Sequence, residues 1–76
     1  MLDRQKYEFL RKELKNARVS SNTHQEDLAK KLKKPQSFIS KVESGERNLD
    51  AIEFVNYCIA LELEPSKFLK KLIDKF

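Results

Sequence analysis

Residues 25–45 read QEDLAKKLKKPQSFISKVESG, and the stretch predicts two short helices joined by a tight turn. Apolar side chains recur at helical spacing on one face of each helix, at Leu28 in the first and at Ile39 and Val42 in the second. Two helices that cross closely need a small side chain at the point of contact, and Ala29 supplies it. This pattern is typical of a helix-turn-helix unit.

The ends of these two helices carry terminus signals. Thr23 and Glu26 have the spacing of a capping box, so we expect Thr23 to cap the helix that follows. Pro35 suits the first position of the second helix because its missing N–H would be unpaired there. Gly45 can take the left-handed conformation that ends a helix. Lys33 occupies the turn between the helices, where a residue other than glycine adopts the turn conformation at some cost.

Helical periodicity continues on both sides of the unit. The first helix carries an apolar stripe from Tyr7 to Ala17, and the last helix carries apolar residues on one face from Phe68 to Phe76. With one glycine and two prolines in 76 residues, the chain has few turn formers for an all-β fold. We therefore predict an all-α domain with helices over about Asp3–Arg18, His24–Leu32, Pro35–Ser44, Asp50–Leu61 and from Pro65 onward.

Composition argues against several classes of protein. No apolar run approaches the roughly 20 residues that span a bilayer. The N-terminal MLDRQKYEF lacks the apolar core of a signal peptide, so we expect a cytoplasmic protein with no membrane contact. Cys58 is the single cysteine and His24 has no second ligand at helical spacing, so no disulfide, metal or cofactor is predicted. The scattered carboxylates have no partnering nucleophile or base, which argues against an enzyme.

Charge is unevenly distributed along the chain. Residues 1–41 contain eleven Lys/Arg and five Asp/Glu, a balance of +6, whereas residues 42–76 contain five and seven, a balance of −2. One half of the chain is therefore suited to a polyanion and the other is not. Lys33 and Lys34, in the turn between the two helices of the unit, are the lysines best placed to attract phosphate.

Burying Ile39 and Val42 turns the polar residues of the same helix outward. Those residues are Gln36, Ser37, Ser40 and Lys41. A convex face of short polar side chains that ends in a lysine fits a DNA major groove, where Gln can pair with adenine and Lys with guanine. We also expect Phe38 to be partly exposed, because one helix cannot bury residues 38, 39 and 42 equally against one partner.

The strings QEDLAKKL and PQSFISKVESGER resemble the phage-repressor and Cro type of helix-turn-helix regulator, the XRE-like family. The resemblance covers most of the chain and implies a compact five-helix bundle like the DNA-binding domain of lambda repressor, with residues 1–76 as one domain. It also implies a sequence-specific transcriptional regulator that binds double-stranded DNA. The helix at about Pro35–Ser44 would be its recognition helix, the one that enters the major groove. The chain departs from the family at the turn, where Lys33 replaces the usual glycine.

The resemblance implies roles for individual side chains. Arg18 and Glu43 match a buried ion pair that ties the first helix to the recognition helix. The positions that read base edges match Gln36, Ser37, Ser40 and Lys41, with Phe38 over a thymine methyl. The positions that contact phosphate match Gln25, Arg47 and Asn48, to which the turn adds Lys33 and Lys34.

A second apolar stripe on the fourth helix consists of Ile52, Val55 and Ile59. Either another helix covers it, or it is the interface of a homodimer, since such regulators place two recognition helices one DNA turn, about 34 Å, apart on a palindromic operator. A dimer of this kind would act as a repressor or as the controller of a neighbouring gene set such as restriction–modification. The alternative function is an antitoxin-like module that mainly holds a partner protein, such as a toxin, with DNA binding secondary.

Overall fold

The structure is a computed structural model that describes residues 3–76. Met1 and Leu2, the start of the predicted domain, lie outside the described residues. The prediction of an all-α fold with five helices is confirmed, and residues 3–76 contain no strand. None of the helices in this part of the chain is long and apolar enough to cross a membrane. The helices are α1 (Arg4–Ser20), α2 (Gln25–Leu32), α3 (Gln36–Ser44), α4 (Ala51–Ala60) and α5 (Pro65–Lys75).

The core lies where α2 and α3 cross, with α1 packed against α3 and α4 packed against α2. Ala29 is buried between the two helices, as its small side chain predicts. Every helix except α5 contributes fully buried side chains to this core. The most deeply buried large side chains are Leu14, Leu28, Ile39, Tyr57 and Cys58.

The outer helices bury less of their apolar stripes than the periodicity predicts. Phe68 of α5 packs edge-to-face on Phe54 of α4, with ring centroids 5.8 Å apart. Ile73 is 72% exposed, however, and Tyr7 of α1 is 47% exposed. The apolar face of α5 is therefore only partly buried, because α5 lies on the edge of the bundle and packs mainly on parts of α1 and α4.

The predicted helix starts at Asp3, His24, Pro35 and Asp50 each shift by one residue, and two of these shifts change a predicted cap. The first residue of α2 is Gln25, so His24 rather than Thr23 is its N-cap, and the carboxylate of Asp27 accepts a hydrogen bond from the His24 N–H at 3.1 Å. The predicted capping by Thr23 and Glu26 is wrong. Similarly, Pro35 is the extended N-cap of α3 rather than its first helical residue.

The α2–α3 turn depends on a left-handed residue, as predicted. Lys33 has φ 56° and ψ 43°, and the N–H of Lys34 donates to the Ala29 carbonyl at 3.0 Å. Gly45 ends α3 with φ 88°, and the guanidinium of Arg11 lies over the position that a Cβ would take. The C-caps of α2 and α3 thus both adopt left-handed conformations that favour glycine, and only the second of them is a glycine.

The cost of the Lys33 conformation is measurable with two variants that both remove the lysine. We expect Lys33→Gly to be more stable than Lys33→Ala by about 0.5–1 kcal/mol. Glycine relieves the strain of the left-handed conformation, and its greater conformational entropy in the unfolded chain offsets part of that gain. Chemical denaturation of the two variants measures the difference. Equal stabilities, or a more stable Lys33→Ala, would contradict the prediction.

Candidate nucleic-acid interface

Helix α3 has one buried and one exposed face. Phe38, Ile39 and Val42 are buried in the core. The four polar residues predicted to lie outward, Gln36, Ser37, Ser40 and Lys41, are exposed, as is Ser44 at the end of the helix. The Ser40 hydroxyl donates to the Ser37 carbonyl at 3.2 Å, which leaves its oxygen free to accept. The helix therefore presents a continuous polar strip on the surface of the protein.

Phe38 does not belong to this strip, and the expectation that it is partly exposed is wrong. Its side chain is only 9% exposed. The Lys34 ammonium lies 5.4 Å and the Arg47 guanidinium 4.6 Å from the centroid of its ring. Because α3 packs against both α1 and α2, it buries a wider face than one partner helix would allow. The ring is thus a support for two cations and is too enclosed to contact a thymine methyl.

A buried ion pair holds α3 against α1. Arg18 donates from Nε to Glu43 Oε2 at 2.6 Å and from Nη2 to Oε1 at 3.0 Å. Its Nη1 donates to the Thr23 carbonyl at 2.8 Å. The side chains are only 10% and 6% exposed, and the hydrogen bonds to Glu43 raise the pKa of Arg18. Arg18 and Glu43 are therefore paired as the resemblance implies, with three guanidinium donations satisfied inside the protein.

The same carboxylate orients the start of α2. Gln25 donates from Nε2 to Glu43 Oε1 at 3.0 Å, and its own Oε1 accepts from Gln36 Nε2 at 3.4 Å. A chain of polar contacts thus runs from buried Arg18 to exposed Gln36. Two predicted site residues on different helices, Gln25 and Gln36, are brought side by side by this chain.

Cationic side chains flank the exposed strip at both ends of α3. Lys33 and Lys34 are exposed in the α2–α3 turn, and Arg47 and Asn48 lie in the loop that follows Gly45. Four of the five predicted phosphate contacts are therefore on the two segments next to α3. The fifth, Gln25, stands at the N-terminus of α2.

Glu53 of α4 is a site residue that the sequence reasoning missed. Its carboxylate accepts from Arg47 Nη1 at 2.9 Å and from Nη2 at 2.7 Å. The hydrogen bonds from Arg47, followed by one from the Asp50 N–H, lower the pKa of Glu53 to about 2. The Asp50–Glu53 spacing is a capping-box signal that the sequence displays. Its partnership with Arg47 depends on how the loop folds back.

The stripe Ile52, Val55 and Ile59 lies on the surface of α4. Its side chains are 71%, 38% and 61% exposed. Of the two alternatives for the stripe, cover by another helix is therefore wrong for the described residues. The opposite face of α4 buries Phe54, Tyr57 and Cys58 in the core.

Two short crossed helices with an anchored, polar, exposed second helix define a helix-turn-helix protein of the class that binds DNA and regulates transcription. The family model described as helix-turn-helix matches residues 14–68. The chain belongs to this family, in its XRE-like type, and the predicted resemblance is confirmed.

Solved structures similar to this chain carry the same type of name. An XRE-family like protein from Pseudomonas syringae pv. tomato str. DC3000 is 38% identical, with a TM-score of 0.94 over 97% of this chain and 90% of that chain. The wild-type restriction–modification controller protein C.Esp1396I is 30% identical, with a TM-score of 0.74 over 91% of this chain and 86% of that chain. A single-residue variant of that controller is 31% identical, with a TM-score of 0.75 over 92% and 85% of the two chains. None of the curated proteins compared with the chain matches it.

Removing one partner of the buried pair tests its role in the fold. We expect Glu43→Ala to lower the free energy of unfolding by about 3 kcal/mol, because it leaves the Arg18 guanidinium buried without its counterion. Glu46→Ala removes an exposed carboxylate from the next loop and is the control, with little expected effect. Thermal and chemical denaturation measure both variants. A Glu43→Ala protein as stable as the control would show that the pair does not anchor α3.

Proposed function

We propose that the protein binds a specific double-stranded DNA operator as a homodimer, with α3 of each copy in the major groove. The observation that carries the proposal is the strip of four polar side chains on a helix whose other face is buried and anchored. Gln36 at the start of α3 and Lys41 near its end would read base edges by hydrogen bonding. The two serines between them are short enough to let the helix approach the bases closely.

Phosphate contacts would set the orientation of α3 in the groove. Lys33 and Lys34 would contact the backbone on one side, and Arg47 and Asn48 on the other. At the N-terminus of α2, the Gln25 and Glu26 N–H groups have no partner among the hydrogen bonds of residues 3–76. These groups and the Gln25 amide would bind a further phosphate, with the helix dipole favouring the anion.

The exposed stripe of Ile52, Val55 and Ile59 supports a dimer. Three large aliphatic side chains in a row are a costly surface for a monomer, and a two-fold axis through α4 would cover them with the same residues of a second copy. A dimer of helix-turn-helix domains reads two half-sites about 34 Å apart, which requires a palindromic operator. We place its action in the cytoplasm, where the DNA of a bacterium such as the source of the 38% identical relative lies.

A repressor, or a controller of a neighbouring gene set, is the role we propose for such a dimer. The similarity to a restriction–modification controller protein supports the second form. The antitoxin-like alternative remains a prediction, and no feature of residues 3–76 favours it over the regulator.

Selection of bound duplexes from a random pool tests the function. We expect an inverted repeat to be enriched, with affinity that falls as salt rises because phosphate contacts release counterions. If binding is uniform across sequences and disappears at the higher of two salt concentrations, the protein binds DNA only as a nonspecific polycation and the proposal is wrong.

The same selection with Gln36→Ala tests α3 as the reading element. The variant should relax the preference at one position of each half-site, by about 1–3 kcal/mol of discrimination. Gln5→Ala removes the same side chain from the exposed surface of α1 and should leave the motif unchanged.

Sedimentation of Ile59→Asp tests the dimer surface. We expect this variant to be a monomer at concentrations where the wild type is a dimer, because each copy would bury a carboxylate against its partner. Ile73→Asp is the control, since Ile73 of α5 is 72% exposed and lies on a different helix from the stripe. A dimer that survives Ile59→Asp would exclude the stripe as the interface.

A further inference from the structure

Arg47 presents two different edges of its guanidinium, and the protein uses only one. Nη1 and Nη2 form a fork with the two oxygens of Glu53, and Nη1 donates its second hydrogen to the Asn48 carbonyl at 2.9 Å. The remaining donors are Nε–H and the second hydrogen of Nη2, which lie together on the adjacent edge. None of the hydrogen bonds of residues 3–76 uses Arg47 Nε. A second fork, matched to two phosphate oxygens, is therefore available.

The position of this free edge is fixed from several directions. The Arg47 backbone N–H donates to the Lys41 carbonyl at 3.1 Å, which ties the loop to the end of α3. The guanidinium carbon of Arg47 lies over the ring of Phe38, 4.6 Å from its centroid. The Arg47 side chain is still 41% exposed, so an anion can reach it.

Glu53 is itself held in place at the start of α4. Its carboxylate accepts from the Asp50 N–H at 3.0 Å, while its own N–H donates to the Asp50 side chain at 2.8 Å. Only 19% of the Glu53 side chain is exposed. The capping box of α4 thus fixes the carboxylate that binds the Arg47 guanidinium.

The geometry points to Glu53 as a positioning residue for DNA binding: it holds one edge of Arg47 so that the other edge is oriented for a phosphate. The inference rests on the proposed function and deepens it, since it assigns an acidic residue a favourable part in binding a polyanion. A long arginine side chain loses rotamer freedom when it binds a phosphate, and this loss of entropy weakens binding. Because Glu53 already restricts the Arg47 rotamer in the free protein, less entropy is lost on binding. The bidentate geometry requires a guanidinium, so a lysine at this position could not contact Glu53 and a phosphate in the same way.

The sign of the effect separates positioning from simple charge. Removal of an acidic residue near DNA should strengthen binding if only net charge matters. We expect the opposite for Glu53→Gln, a three- to tenfold weaker affinity for the selected duplex, which corresponds to about one immobilised long side chain. Glutamine can still accept from the Asp50 N–H and keep the capping box, but it offers Arg47 one acceptor oxygen in place of two.

Glu46→Gln is the matched control, since it makes the same change of charge at the residue next to Arg47 in the chain. Glu46 is exposed and has no hydrogen bond or ion pair among the interactions of residues 3–76. It should bind the duplex as well as the wild type or slightly more tightly. A Glu53→Gln protein that binds as tightly as Glu46→Gln, or more tightly, would overturn the inference.

A double-mutant cycle with Arg47→Ala excludes a merely structural effect. In that background Glu53→Gln should no longer weaken binding, because the side chain that it positions is gone. Arg47→Ala alone should reduce the slope of log affinity against log salt by about one phosphate contact. If Glu53→Gln weakens binding equally with and without Arg47, the residue acts through the fold and the inference fails. Circular dichroism at the assay temperature shows that each variant is folded.

Failure of the inference and failure of the proposed function give different results. A wild-type protein that shows no preference for the selected duplex over a random duplex of equal length overturns the function. A wild-type protein that retains this preference while Glu53→Gln behaves like Glu46→Gln overturns only the role of Glu53.

Discussion

The buried pair of Arg18 and Glu43 is the interaction on which the arrangement of the helices depends. Its two charges are nearly excluded from water and come from α1 and α3, so neither helix can move without leaving an uncompensated charge in the interior. The pair also has a third member, because Glu43 accepts from Gln25 at the start of α2. Three helices are thereby fixed at one carboxylate. The polar strip on α3 is consequently presented by a rigid support rather than by a mobile helix.

The ion pair of Arg47 and Glu53 has a different physical role. It lies near the surface, where solvent screening leaves little net stabilisation to an ion pair. Its contribution is orientation, since it fixes a long cationic side chain over Phe38 beside the end of α3. The Arg18–Glu43 pair therefore stabilises the fold, and the Arg47–Glu53 pair orients a cationic side chain on the protein surface. Both are bidentate arginine–carboxylate pairs, but they differ in burial and in the guanidinium edge that is used: Arg18 donates from Nε and Nη2, and Arg47 from Nη1 and Nη2.

Much of the site could be predicted from residues 25–45, because helical spacing and the small residue at position 29 leave few ways to arrange two short helices. The exposure of Gln36 and Lys41 follows directly from the burial of the opposite face. Phe38 escaped prediction because the number of packing partners around α3 is a property of the whole bundle. Glu53 escaped it because the irregular residues 48–50 lie between Arg47 and the start of α4, and no helical or strand periodicity relates positions on the two sides of such a loop.

The sequence by itself determined the number and approximate bounds of the helices, the left-handed turn at Lys33 and the family of the protein. These features depend on local periodicity, terminus residues and backbone preferences, all of which act between neighbours in the chain. Only the tertiary structure decided that Phe38 is covered by two cations, that α5 leaves Ile73 exposed and that the α4 stripe is uncovered. Those outcomes depend on which surfaces meet when the helices pack, and the same amphipathic pattern is compatible with a covered or an open face.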